Sequence, residues 1–190
     1  MQLSIKTNFL TVQKALDRLS DDIALRASVS ATNKTVAQAK TAMSKAIRAE
    51  FNLSAAKVAE KLFITKATFK GGRFQVEASL LSESKAGRRS VNVINFQANQ
   101  TAGGVSIKVK RGGGRKVVKG AFIGNKGRTV FIREGTARLP IRPVQVIDVP
   151  QMFNTRKVNA AVIAFIKAKA PEIFDREIKF YVDRFNRSGK

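Results

Sequence analysis

The chain has 190 residues, with 36 Lys and Arg against 13 Asp and Glu and a formal charge of +23. At 44% hydrophobic content, with 13 Phe and only 4 Pro, it is too apolar for a disordered basic tail, so it builds a core and needs a polyanion or an acidic neighbour to accept its charge. The absence of Cys and His removes thiolate nucleophiles, imidazole bases and disulfides, and with them nearly every zinc, haem or iron–sulfur site.

No apolar run approaches the roughly 18–20 residues of a membrane span. The start, Met1-Gln2-Leu3-Ser4-Ile5-Lys6, lacks the charged-then-apolar pattern of a signal peptide. The expectation is a soluble intracellular product with no membrane partner, metal, cofactor or small-molecule substrate.

From the amino terminus, Phe9, Val12, Leu16, Leu19 and Ile23 recur at three- and four-residue steps. This places them on one face of an amphipathic helix, predicted over 8–30. After a polar patch at Ser28-Val29-Ser30 comes a second periodic set, Val36, Ala39, Met43 and Ala46 or Ile47, with Thr32 or Asn33 as its cap. Its face is mostly Ala, a narrow seam that lets another helix come close. Asn52-Leu53-Ser54 reads as a break, with Ser54 capping a short helix through Val58 and Leu62.

The middle of the chain changes period. Phe74, Val76, Ala78 and Leu80 alternate with polar residues, as do Val105, Ile107 and Val109, which is the two-residue repeat of half-buried strands. Strands are predicted near 64–69, 73–81, 91–97, 104–110, 115–123, 129–134 and 142–148, joined antiparallel through glycine-rich turns. Lys108 to Arg142 holds eleven basic residues and one acid, Glu134. Pro140, Pro143 and Pro150 punctuate the exit. A last helical segment carries Val158, Val162, Phe165, Ile173, Phe174, Ile178 and Tyr181, with Pro171 either kinking it or opening a new helix. The fold class is α+β: a central antiparallel β-sheet (63–150) flanked by N-terminal helices (1–62, a candidate oligomerisation arm) and a C-terminal helical segment (151–190), in one structural domain.

Three patterns bear on chemistry. Arg111-Gly112-Gly113-Gly114-Arg115-Lys116 lacks the Gly-Lys-Ser/Thr ending and the following helix of a nucleotide loop, so it reads as a hairpin tip. The carboxylates Glu77, Glu83, Glu134 and Asp148 are too scattered to signal a nuclease or glycosidase cleft. Lys108, Lys110, Arg111, Arg115, Lys116 and Lys119 form the densest basic cluster, and a hairpin through the glycines makes them a positive ribbon suited to phosphates or an acidic protein. No aromatic residue is interleaved with them, as readers of single strands require. Composition alone suggests a nucleic-acid-binding protein of ribosomal or nucleoid type.

From Ala121 the sequence runs Ala-Phe-Ile-Gly-Asn-Lys-Gly-Arg-Thr-Val-Phe-Ile-Arg-Glu-Gly, followed by Arg138-Leu139-Pro140-Ile141. With the preceding basic hairpin and the Ala-rich helix ending Glu50-Phe51-Asn52-Leu53, this resembles the minor tail protein Z family of tailed bacteriophages and prophages. The chain departs from the family's Gly-Pro-Ser-like turn after Pro-Ile, carrying Val144-Gln145-Val146-Ile147-Asp148-Val149-Pro150 instead. The resemblance implies a structural virion protein of the tail or neck, made in the host bacterial cytoplasm. It implies a part that completes the tail and helps it join the DNA-filled head as a closed homo-oligomeric ring. Its partners would be other copies, other tail and neck proteins and, non-specifically, packaged DNA. No catalytic centre transfers; Phe122, Val130, Phe131, Arg133 and Pro140 become fold-defining or subunit-contact positions.

Overall fold

The computed structural model describes residues 2–6, 21–68, 76–82 and 90–188, and it is α+β, with helices toward both ends and antiparallel strands in three small sheets. In chain order the elements are β1 (Gln2–Lys6), α1 (Asp21–Glu50), α2 (Ala55–Ala59), β2 (Leu62–Thr65), β3 (Glu77–Ser82), a 3-10 turn (Val93–Asn95), β4 (Asn99–Thr101), β5 (Gly104–Ile107), β6 (Lys116–Lys119), β7 (Ala121–Gly124), β8 (Thr129–Arg133), β9 (Ile141–Pro143), α3 (Val149–Phe153) and α4 (Arg156–Ser188). The chain forms two compact units, one of Met1–Met43, Leu62–Ser82 and Asn159–Lys190, the other of Ser44–Lys61 and Glu83–Val158.

In the first unit, Ile23, Ala27, Ala31, Thr35, Ala39 and Met43 follow one another at four-residue steps along α1, and all are buried. Such a row is one ridge of a helix surface. The helix runs unbroken through Ser28-Val29-Ser30, where the polar patch predicts a break, because Ser28 is buried and Ser30 Oγ donates to Glu177 at 2.8 Å. Nor do Thr32 and Asn33 cap a second helix. Thr32 is buried mid-helix, and the Asn33 side chain donates to the Ala67 carbonyl at 3.0 Å while accepting from the Ala67 N–H at 2.7 Å. The predicted stripe from Phe9 to Leu19 lies outside the described residues. The sheet of this unit has the order β1-β3-β2, with Leu80 of β3 in register with Leu3 and Ile64.

α4 continues through Pro171, so no new helix begins there. One lost amide is outweighed by a buried face that carries on across it, through Val162, Ala170, Ile173, Phe174 and Glu177. Ala31, Ile173 and Phe174 form a buried cluster, with Ile178 packed against it.

Glu177 is the one charged side chain among the largest fully buried residues described. Its carboxylate takes hydrogen bonds from Lys34 Nζ at 2.6 Å and Ser30 Oγ at 2.8 Å, and Arg176 Nε lies 3.5 Å away. Burial pushes its pKa up, but the bonds from Lys34 and Ser30 and the charges of Lys34 and Arg176 outweigh this and hold the carboxyl below its ordinary 4.5. A folded-state pKa below the unfolded one means stabilisation that is complete above about pH 4.5 and fades as the pH falls through the lowered value. Urea titrations between pH 7 and pH 3 should therefore show the native chain losing more stability than Glu177→Gln. Parallel losses would remove Glu177 as the responsible group.

In the second unit the sheets have the orders β4-β5-β6 and β7-β8-β9. Val93, Val105, Ile107, Ala121 and Val130 make the core, with Ile94, Val109, Val118, Ile123, Val144 and Val146 packed on it. The predicted strand 115–123 is two strands in two sheets, because Gly120 takes φ +69° between them, a backbone setting that L side chains rarely adopt. The predicted strand 91–97 becomes the 3-10 turn. Its start still pairs with 144–146, through Val93 N–H to Val144 O and Val146 N–H to Val91 O, each 3.1 Å. Asn92 ties this segment to β8: its side chain donates to Val130 O at 3.1 Å and accepts from Val130 N–H at 3.0 Å. Asp148 and Gln151 form a reciprocal cap that starts α3 with Pro150 in its first turn.

Candidate functional site

The basic cluster is built on the β5–β6 hairpin, whose register places Ile107 opposite Lys116 and Gly104 opposite Lys119. Lys108, Lys110 and Arg111 follow β5 and enter the glycine loop; Arg115 closes it. The root of the loop is stitched to the end of α1. Asn52 N–H donates to Val109 O at 2.8 Å, the Asn52 amide donates to Lys108 O at 3.0 Å, and Arg111 N–H donates to Glu50 O at 2.9 Å. An asparagine after a helix thus fixes a loop 56 residues later, by saturating carbonyls that would otherwise go unpaired.

The six cations do not share one role. Lys110, Arg111, Arg115, Lys116 and Lys119 are exposed, and Lys108 is half-buried. Arg115, although exposed, lies back along its own hairpin, with Nε donating to Ser106 Oγ at 2.9 Å and Nη2 to Gln97 O at 2.6 Å and Ser106 O at 3.1 Å. Its fork of donors clamps β5 to the chain before β4, work that a lysine cannot copy. Lys116 and Lys119 stand three residues apart, so they leave β6 on opposite faces. The cluster is therefore a cationic loop with a two-sided strand beside it, not a ribbon with all charges on one face.

One acid sits at the loop root. The Glu50 carboxylate accepts from Lys157 Nζ at 2.6 Å. That hydrogen bond lowers its pKa, against the effect of burial, and the charges of Lys157 and Lys110 lower it further. Lys110 thus has a counter-charge nearby, whereas between Glu83 and Glu134 the sequence has twelve Lys and Arg and no acid.

A second surface lies on the side of the β7-β8-β9 sheet opposite Val130. Phe122 faces Phe131 in register, their ring centroids 6.0 Å apart, and Arg133 Cζ stands 4.9 Å from the centre of the Phe122 ring. Phe131 is opposite Pro143 and Arg133 opposite Ile141, so the same face continues onto β9. Gly124 leaves room for these rings, since a Cβ there would stand 3.1 Å from Phe131 Cδ2. Both Phe are only partly buried, Ile141 and Pro143 are exposed, and neither Phe122 nor Phe131 belongs to the core cluster. Val130 and Pro140 act differently from the three residues just described. Val130 is fully buried, and Pro140, in the loop between β8 and β9, accepts from Glu134 N–H at 3.2 Å.

Sequence reasoning gave no role to three residues the structure uses: Asn52, placed in a break, Asn92, placed inside the predicted strand 91–97, and Ile141, quoted only within the family run; the register on Arg133 is what puts Ile141 on this face. Among the described residues no helix is long and apolar enough to cross a membrane, and no group of three or more acids could hold a metal ion. A family model, prophage minor tail protein Z, matches residues 11–187. No curated protein and no solved structure matches the chain.

Proposed function

Because the chain belongs to the prophage minor tail protein Z family, we propose that it completes the phage tail and helps the tail join the DNA-filled head as a closed homo-oligomeric ring. The observation that carries this reading is the pairing, in one unit, of a cationic loop with no acid in its own sequence neighbourhood and an apolar sheet face left outside the core. Copies meet through Phe122, Phe131 and Arg133, while Val130 and Pro140 hold the strands that present them. A closed head-to-tail ring needs on every copy such a patch and a second, different surface that receives it. Lys108, Lys110, Arg111, Lys116 and Lys119 dock acidic tail or neck neighbours, with packaged DNA as a non-specific contact, through charge complementarity that guides encounter. The role is interlocking, not catalysis, and the protein resides in the neck or tail of the virion after assembly in the host cytoplasm.

The test is a prophage lacking its own copy, complemented by a chain with Lys108, Lys110, Arg111 and Lys116 changed to Glu. Arg115 stays, since its loss would unfasten the hairpin. The expected outcome is a chain that still folds and melts cooperatively, with a fall of at least about a hundredfold in infectious tailed particles. Wild-type titres would remove the cations' role. Tight, salt-sensitive binding of DNA duplex by the isolated monomer, with no chain in the virions, would instead assign it to the nucleic-acid-binding class.

A further inference from the structure

The hairpin offers more than charge. Among the described residues β6 is an edge, paired with β5 on one side and with nothing on the other. Lys116, Val117 and Lys119 are exposed, and Val117 keeps 51% of its surface open to solvent, unusual for a valine in a strand.

The direction of its backbone groups follows from the close packing at Gly104. A Cβ on Gly104 would stand 2.1 Å from Val118 O, so that carbonyl points into β5. Along an antiparallel strand the direction alternates from residue to residue. The N–H and C=O of Val117 and Lys119 therefore point away from the sheet, a template for one more strand.

Deepening the docking reading above, on which it rests, we propose that this edge receives an extended acidic segment of a neighbouring tail protein as a fourth strand. The lysines choose the occupant. A carboxylate opposite Lys116 and another opposite Lys119, three residues apart, answer both charges, and the strand between them covers Val117. A second copy of β6 is unsuited, because any antiparallel self-pairing brings the Lys116, Lys119 and Arg115 charges of two copies together. A nucleic acid would satisfy the lysines but leave the outward amides and Val117 without partners.

Val117→Pro isolates the backbone contribution. It removes an N–H that faces away from β5, and proline is tolerated on an edge strand in that orientation. The probe is a labelled synthetic peptide of sequence Thr-Glu-Val-Thr-Glu-Val-Thr, blocked at both ends, followed by fluorescence anisotropy beside a short DNA duplex. The native chain should bind the peptide, Val117→Pro should weaken it at least about tenfold, the loss expected of one hydrogen bond and its geometry, and duplex binding should stay the same. A second readout needs no variant: amide exchange at Val117 and Lys119 should slow when the peptide binds the native chain. Equal peptide affinity in both chains, or protection of those amides by duplex and not by peptide, would overturn the proposal. Full particle titres with Val117→Pro, alongside lost titres with the charge-reversed chain, would likewise refute it while leaving the tail function standing.

Discussion

Replacing Gly104 by Ala is expected to destabilise the second unit by about 2–5 kcal/mol. Two costs add. Gly104 has φ +141°, outside the range L side chains adopt, which for an alanine costs about 1–2 kcal/mol. The new Cβ would then lie 2.1 Å from Val118 O, and because the obstacle is backbone, relief means moving β6, for about 1–3 kcal/mol more. Gly103→Ala, whose Cβ would meet nothing within 4 Å, is the control, with a change of less than about 1 kcal/mol. Urea unfolding of the two variants measures the difference. Since the displaced strand carries Lys116 and Lys119, Gly104→Ala should also reduce particle formation, whereas Gly103→Ala should not. Equal stability of the two variants would mean that the β5–β6 register is not as described.

The second large effect lies in the first unit. Phe174 is fully buried beside Ala31 and Ile173, and truncation to Ala leaves a cavity between α1 and α4 side chains that cannot close without shifting a helix. The expected loss is about 3–5 kcal/mol. Phe180 lies six residues further along α4 but is 54% exposed, with Tyr181 edge-on at 5.3 Å. Its change to Ala should cost less than about 1.5 kcal/mol, the worth of one aromatic pair. Comparable losses at the two sites would show that the buried face of α4 is misassigned.

These contrasts also show what a sequence can reveal. Hydrophobic period alone located α1 from Val36 onward, the short helix after Ser54 and the strands around Ala78, Val105 and Val130, because in each case the buried face repeats at the spacing of its element. The run from Ala121 to Ile141 carried the family resemblance, and the family model extends it to residues 11–187. Where polar residues serve distant partners, the pattern misleads. Ser30 looks like a helix breaker until Glu177, 147 positions away, accepts its hydroxyl. Gly120 sits inside the run 115–123 that reads as one strand, and its positive φ is where the two halves part into different sheets. Composition places Arg115 among the basic cluster, and the structure adds what composition cannot, its hydrogen bonds to Gln97 and Ser106. Charge is legible in a sequence, whereas the direction in which a long side chain spends its hydrogen bonds is set by the fold.

The proposed role is tested most directly by where the chain resides in a finished particle. Cryo-electron microscopy of purified virions, with mass spectrometry of their proteins, should find a closed ring of this chain at the head-proximal end of the tail. The β5–β6 hairpin should press against acidic protein or DNA, and the Phe122–Phe131 face should be covered by the next copy. Infectious virions of normal tail structure that contain none of this chain would contradict it.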